Sequence, residues 1–211
     1  MSRASLHSLL VLGLLGLASC ASTPFPETTL LESEGTRAFL IGELRERQSR
    51  TRLVERATIE RGGEAVALTL YADRSVPGEL RLAAVSDLGA TVFSATWLRG
   101  ELEVLHASEG FPEAFLERLV PDQAVGLIAP PAEDVELVRL EDGRAALHYE
   151  LFGSEVLAFV GEERGVLELR RGEDSELLTE LELHGEGVAG ELRLSASDGS
   201  YAGRFTLADW E

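Results

Sequence analysis

From about Thr36 to the end of the chain, apolar and polar side chains alternate with a period of two. Turn signals break the alternation roughly every 8 to 16 residues. Leu80, Leu82 and Ala84 alternate with Glu79, Arg81 and Ala83; Leu181 and Leu183 alternate with Glu180, Glu182 and His184. Val188, Gly190, Leu192, Leu194 and Ala196 do the same against Ala189, Glu191, Arg193 and Ser195. The turn candidates are Gly62-Gly63, Pro77-Gly78, Asp87-Leu88-Gly89, Arg99-Gly100, Asp142-Gly143, Arg164-Gly165, Gly172-Glu173-Asp174, Gly185-Glu186-Gly187 and Asp198-Gly199. Successive side chains of a strand point to opposite faces. The pattern therefore predicts an antiparallel meander of roughly eleven to thirteen strands with one dry and one wet side. No fixed-period sequence repeat is visible, which argues against a propeller or solenoid.

The middle of the chain departs from this period. Pro112 follows Phe111 where a first helical residue stands, and Phe115, Leu116 and Leu119 recur at helical spacing. Glu113, Glu117 and Arg118 take the opposite side, and a second short helical piece is expected from Pro121 to Ile128, before Pro130-Pro131 ends it. A six-stranded front half, a helical insertion at about 111–129 and a further set of strands make the expected order.

Composition narrows the function. A net charge of −18 opposes binding to nucleic acid and charge-driven adhesion to anionic lipid. Every basic residue apart from the histidines is Arg, since the chain has no Lys. Cys20 is the single cysteine, so neither an intrachain disulfide nor a multi-cysteine metal site can form, and the domain must be stabilised by its core.

The first residues carry a processing signal. Arg3 precedes the apolar run Leu9-Leu10-Val11-Leu12-Gly13-Leu14-Leu15-Gly16-Leu17, which is shorter than the roughly 20 residues a membrane-spanning helix requires. It reads as the core of a signal peptide over residues 1–19. Leu17-Ala18-Ser19-Cys20 resembles the lipobox of bacterial lipoproteins, and that resemblance implies a mature chain starting at a lipid-modified Cys20. One myristoyl-length chain gives only reversible membrane binding, whereas two or three hold firmly at about 0.8 kcal/mol per buried methylene. Residues 20–35, including Ala21-Ser22-Thr23-Pro24-Phe25-Pro26, are expected to form a tether and residues 36–211 the β domain. By similarity to the enterobacterial sorting rule, Ala21 in place of aspartate implies the outer membrane, facing the periplasm. About 190 residues remain, enough for one domain with a full core.

A further resemblance lies between Gly78 and Pro130. The strand Leu80–Val85 ends in a turn at Asp87-Leu88-Gly89, a second strand carries Phe93 and Trp97, Leu102-Glu103-Val104 follows, and then a helical stretch from Phe115 to Val120. This order is similar to the LolA and LolB lipoprotein carriers and receptors, and closest to uncharacterised bacterial lipoproteins of that fold. The resemblance implies a mainly β (α+β) fold: a curved antiparallel sheet or incomplete β-barrel with a short helical plug inserted mid-chain. It implies an apolar half-barrel cavity for acyl chains, lipid or lipoprotein, for which Leu68, Leu70, Leu80, Leu82, Phe93, Trp97, Phe115 and Leu119 are the lining candidates. The same residues are equally placed to form a filled core, as in small closed barrels. A periplasmic carrier protein becomes a candidate partner. The receptor's protruding apolar loop would match Asp73–Gly78, where Val76 is the only such candidate, and the receptor's Trp-rich start has no counterpart.

No catalytic pattern stands out. His106, His148 and His184 sit in separate strand-like segments without metal-ligand spacing, and no serine lies in a Gly-x-Ser-x-Gly elbow. No enzyme activity, metal or cofactor is expected. Two non-catalytic functions stay open: an anchored lipid-binding carrier or acceptor, and a structural or assembly subunit of a cell-envelope complex without a ligand.

Overall fold

The computed structural model describes residues 22–210 apart from 77, 99–100, 152 and 186–189. The signal peptide, Cys20 and Ala21 lie outside the described residues, as does the turn at Arg99-Gly100. Among the described residues, thirteen strands form one sheet in the order β1-β7-β8-β9-β10-β11-β12-β13-β2-β3-β4-β5-β6. The short β1 (Thr28–Leu30) and helix α1 (Glu34–Arg47) precede a first meander. Its strands are β2 (Arg52–Arg61), β3 (Glu64–Asp73), β4 (Glu79–Val85), β5 (Thr91–Leu98) and β6 (Glu101–Ala107). Helix α2 (Glu113–Leu127) leads into a second meander: β7 (Val135–Leu140), β8 (Ala145–Leu151), β9 (Ser154–Val160), β10 (Val166–Glu173), β11 (Glu176–His184), β12 (Glu191–Ala196) and β13 (Tyr201–Trp210).

Each strand pair is antiparallel, as the period-two pattern and its short turns require. The two meanders join where β13 runs along β2 from Tyr201↔Arg61 to Trp210↔Leu53. The sheet does not close; β1 and β6 are its edges. Extra residues in one strand of a pair bend it, and register shifts occur at Ala84/Val85, Ser94/Ala95, Arg171/Gly172 and Leu207/Asp209. The dry face curves around a single core that draws on β2–β5, β7–β13 and both helices. A smaller cluster, Val138, Leu140, Ala146, Leu157 and Phe159, lies on the other face, covered by Phe25.

Several sequence expectations need correction. Residues 34–47, expected as tether followed by strand, are α1. Leu40 and Leu44, four apart, are its buried apolar contacts, while Phe39 stays exposed, so the apolar cluster reads as a strand core by composition alone. The tether is also shorter than 20–35: β1 pairs with β7, and the Phe25 N–H donates to the Ser175 carbonyl at 2.8 Å. Finally, the β10–β11 turn falls at Asp174-Ser175, both at positive φ, and Gly172 lies within β10. A Cβ on Gly172 would collide with the Phe25 ring, so close packing selects that glycine.

Helix α2 is one helix instead of two pieces, and it runs through Pro121. The missing Pro121 N–H deprives the Glu117 carbonyl of its helical donor, which costs little because Glu117 is exposed to water. From Leu119 to Leu127 every residue is buried, so this half of α2 sits inside the curve of the sheet. There a Cβ on Gly126 would stand 2.9 Å from Leu192 Cδ2. Gly126→Val is expected to destabilise the domain by about 1–3 kcal/mol through overpacking, read as a lower urea midpoint at unchanged slope.

Candidate functional site

The concave face alternates as the sequence predicts. Leu53, Ala57 and Ile59 of β2 point inward with Leu68, Leu70 and Ala72 of β3. Leu80, Leu82 and Ala84 of β4 continue the surface into Phe93, Ala95 and Trp97 of β5. Leu169, Leu181, Leu183, Leu192 and Leu194 supply the opposite wall. All eight lining candidates belong to this one cluster, and none is more than 8% exposed. In this conformation they form a filled core. Phe93, Phe111, Phe115 and Tyr201 pack in sequence at ring separations of 5.6, 5.7 and 5.2 Å and hold the start of α2 against the sheet.

The rest of α2 is held by polar groups. The Asp122 carboxylate is fully buried and accepts from Arg171 Nε at 2.6 Å, from Thr179 Oγ1 at 3.0 Å and from the Tyr201 hydroxyl. Arg171 also donates to Ser154 Oγ at 3.1 Å. Burial pushes the Asp122 carboxyl above its ordinary pKa, against the opposing pull of Arg171. At the C-terminal end, Gln48 Nε2 donates to the Val125 carbonyl at 2.8 Å, and the Arg74 guanidinium donates to the carbonyls of Leu127, Gln48 and Arg50. Arg74 thus meets the negative ends of both helix dipoles. Arg47, in the last turn of α1, donates to the carbonyls of Gly165, Leu183 and Gly185 at 2.9, 3.1 and 2.6 Å.

Other polar groups of this interior lack such partners. Both amide atoms of Gln123, the Tyr149 hydroxyl and Glu55 Oε2 are buried with no hydrogen-bond partner among the described residues. Burial raises the Tyr149 pKa and pushes the Glu55 carboxyl up to about 7. Unsatisfied buried groups cost about 1–3 kcal/mol each, so a permanent core would gain by replacing them with hydrocarbon.

The outer face carries an open groove of about 560 Å³ over β2–β6, lined by Val54, Tyr71, Ala83, Leu105 and the arginines Arg52 and Arg81. Leu105 is the unpaired bulge residue of β6 and is 62% exposed. The histidines stay apart: His106 Nε2 lies 3.3 Å from the Thr91 carbonyl, His148 faces Glu136 at 4.0 Å, and His184 meets Glu182 at 2.8 Å. No group of three or more His, Cys, Asp or Glu converges among the described residues. None of their helices is long and apolar enough to cross a membrane. Val76, the loop candidate, is 45% exposed.

The wrapped sheet with a helix on its concave side has a counterpart among solved structures. A LolA superfamily protein from Nitrosomonas europaea superposes with a TM-score of 0.53 at 10% identity, covering 82% of this chain and 91% of that one. The fold is LolA-like. A DUF1329 family protein from Desulfovibrio piger also aligns, with a TM-score of 0.46 at 11% identity over 85% of this chain and 92% of that one. No family model and no curated protein matches the sequence. The LolA-like fold agrees with the sequence expectation of a curved, open antiparallel sheet plugged by a mid-chain helix.

Sequence reasoning did not single out Glu55, Asp122, Gln123, Arg171 or the outer groove. Two signals were present. Glu55 occupies an inward parity position between Leu53 and Ala57, and Asp122-Gln123 interrupts an otherwise apolar run from Leu119 to Ile128.

Proposed function

We propose that this domain is a non-enzymatic carrier or acceptor that takes the hydrocarbon tails of a lipid or an acylated protein onto its concave face. The supporting observation is that face itself: a continuous apolar surface, contributed by most of the sheet, closed over by α1 and α2 on a LolA-like fold. Because the interior is filled, a tail enters only where α2 gives way. Burying about twelve methylenes gains roughly 10 kcal/mol, which is set against the buried apolar side chains of α2 and its Asp122–Arg171 pair that the tail displaces. An exchange of one apolar occupant for another leaves at most moderate affinity, which suits a protein that must release its cargo.

In this reading Cys20 carries the lipid anchor at the cell envelope, at the outer membrane facing the periplasm. Thr23, whose carbonyl accepts from the Leu177 N–H at 2.7 Å, follows Cys20 closely, so the β10–β11 hairpin would ride near the membrane. The donor or acceptor of the tail would be a periplasmic carrier protein. One observation favours the alternative of a structural or assembly subunit: the outer groove, with Tyr71 and Leu105 exposed, offers a protein-docking surface.

The purified domain without its own anchor is expected to bind a fluorescent fatty acid or a diacylated lipopeptide saturably. Trp97→Glu, with its fold verified by circular dichroism, is expected to lower that binding at least about tenfold, since it places a charge where a tail would lie. A domain that takes up neither probe overturns the carrier reading. One stoichiometric protein partner in the absence of lipid binding would support the alternative.

A further inference from the structure

Glu55 is out of character with its surroundings. Strand β2 turns Leu53, Glu55, Ala57 and Ile59 to the concave face, and all four are buried. The register partners of Glu55 are Leu70 on β3 and Leu207 on β13, a core residue and one packed against the core. Its carboxyl therefore enters a ring of Leu53, Ala57, Leu70 and Leu207, where it is 4% exposed and Oε2 has no hydrogen-bond partner among the described residues. Burial is the sole cause acting on its ionisation, with no cation offsetting it.

The other buried charges are matched. Among the described residues, four charged side chains are buried: Arg47, Glu55, Asp122 and Arg171. Asp122 is paired with Arg171 at 2.6 Å, and Arg47 with Glu43 at 3.3 Å as well as with three carbonyls. Glu55 alone among them has no counter-ion. Among the described residues the interior thus offers no uncommitted buried cation to receive a carboxylate or phosphate head group, and the net charge of −18 repels such ligands on approach. A buried carboxylate is costly unless paired and hydrogen-bonded, and a protonated amine supplies both charge and donors.

We infer that the amphiphile taken up by the concave face carries a protonated amine beside its hydrocarbon tail, and that Glu55 is the counter-ion of that amine. The inference rests on the carrier reading and adds the chemistry of the head group.

The test compares three ligands of equal chain length, dodecylamine, dodecanol and dodecanoate, by calorimetric titration of the anchor-free domain at pH 7.5. Dodecylamine is expected to bind at least about tenfold more tightly than either of the others, the range of a charge-assisted hydrogen bond. In Glu55→Gln, and independently in Glu55→Leu, the advantage of the amine over the alcohol is expected to fall below about twofold while the affinity for the alcohol is retained. Equal binding of amine and alcohol by the unmodified domain overturns the assignment and leaves the carrier reading intact. So does an amine advantage that persists in both variants, since it would then come from the acidic surface. Failure of all three ligands to bind removes the carrier reading, and this inference with it.

Discussion

Replacing Asp122 with Ala is expected to cost the domain about 3–5 kcal/mol of unfolding free energy, measured as a lower urea midpoint at unchanged slope. The carboxylate ties α2 to β10, β11 and β13 at once, through Arg171, Thr179 and Tyr201. Its removal strands a guanidinium that is 5% exposed, along with two hydroxyls. The cost comes from the partners left behind more than from the pair itself. The double variant Asp122→Leu with Arg171→Met is accordingly expected to recover most of the loss, because hydrocarbon of similar volume needs no counter-charge. A single variant that loses less than about 1 kcal/mol would show that α2 is not held by this cluster. The same weakening bears on function, since a loosened α2 should admit a fluorescent fatty acid faster than the native domain does.

The second large effect concerns pH. Burial raises the Glu55 carboxyl from its ordinary value of 4.5 to about 7, so the folded state holds its proton more tightly than the unfolded chain does. The associated stability is fully present below pH 4.5 and is lost as pH rises through about 7. At 1.36 kcal/mol per unit the full loss is about 3 kcal/mol. Glu55→Gln carries no charge at any pH. It is expected to flatten the stability profile between pH 5 and 8 and to exceed the native domain by up to about 3 kcal/mol at pH 8. Parallel profiles for the two proteins, measured by urea titration across that range, would contradict the buried, unpaired placement of this carboxyl.

Much of the architecture is legible in the alternation, and the reason is geometric. Strand parity is local, so Leu80, Leu82 and Ala84 declare the face of β4 without knowledge of its neighbours, and turns such as Gly62-Gly63 mark hairpin ends by their positive φ. Helix α1 escaped because Leu40 and Leu44 are its only buried apolar residues, too few to mark a helical stripe in the sequence. The extent of the N-terminal wrap escaped because it depends on distant contacts: Phe25 on Gly172 and β1 on β7. The eight apolar candidates were legible as an inward set, but whether an inward set is filled or hollow depends on what lies opposite. Here α2 lies opposite. Asp122 and Glu55 were hard to find for a related reason. A buried acid is distinguished from an exposed one by its surroundings, and Arg171, Thr179 and Tyr201 are 49, 57 and 79 residues away from Asp122 in sequence.

For a tail to enter, α2 must leave its place. Gly126 on α2 and Leu192 on β12 are neighbours, since a Cβ on Gly126 would stand 2.9–3.3 Å from the Leu192 side-chain ends. A reversible cross-link between Gly126→Cys and Leu192→Cys, its formation verified by loss of both free thiols, would tie the helix to the sheet, and the anchor-free domain contributes no other thiol. The measurement is lipopeptide binding by the Gly126→Cys, Leu192→Cys domain, first oxidised and then reduced. Abolished uptake in the oxidised form and recovery on reduction are predicted. Equal uptake in both forms would contradict the claim that α2 yields its place to the cargo.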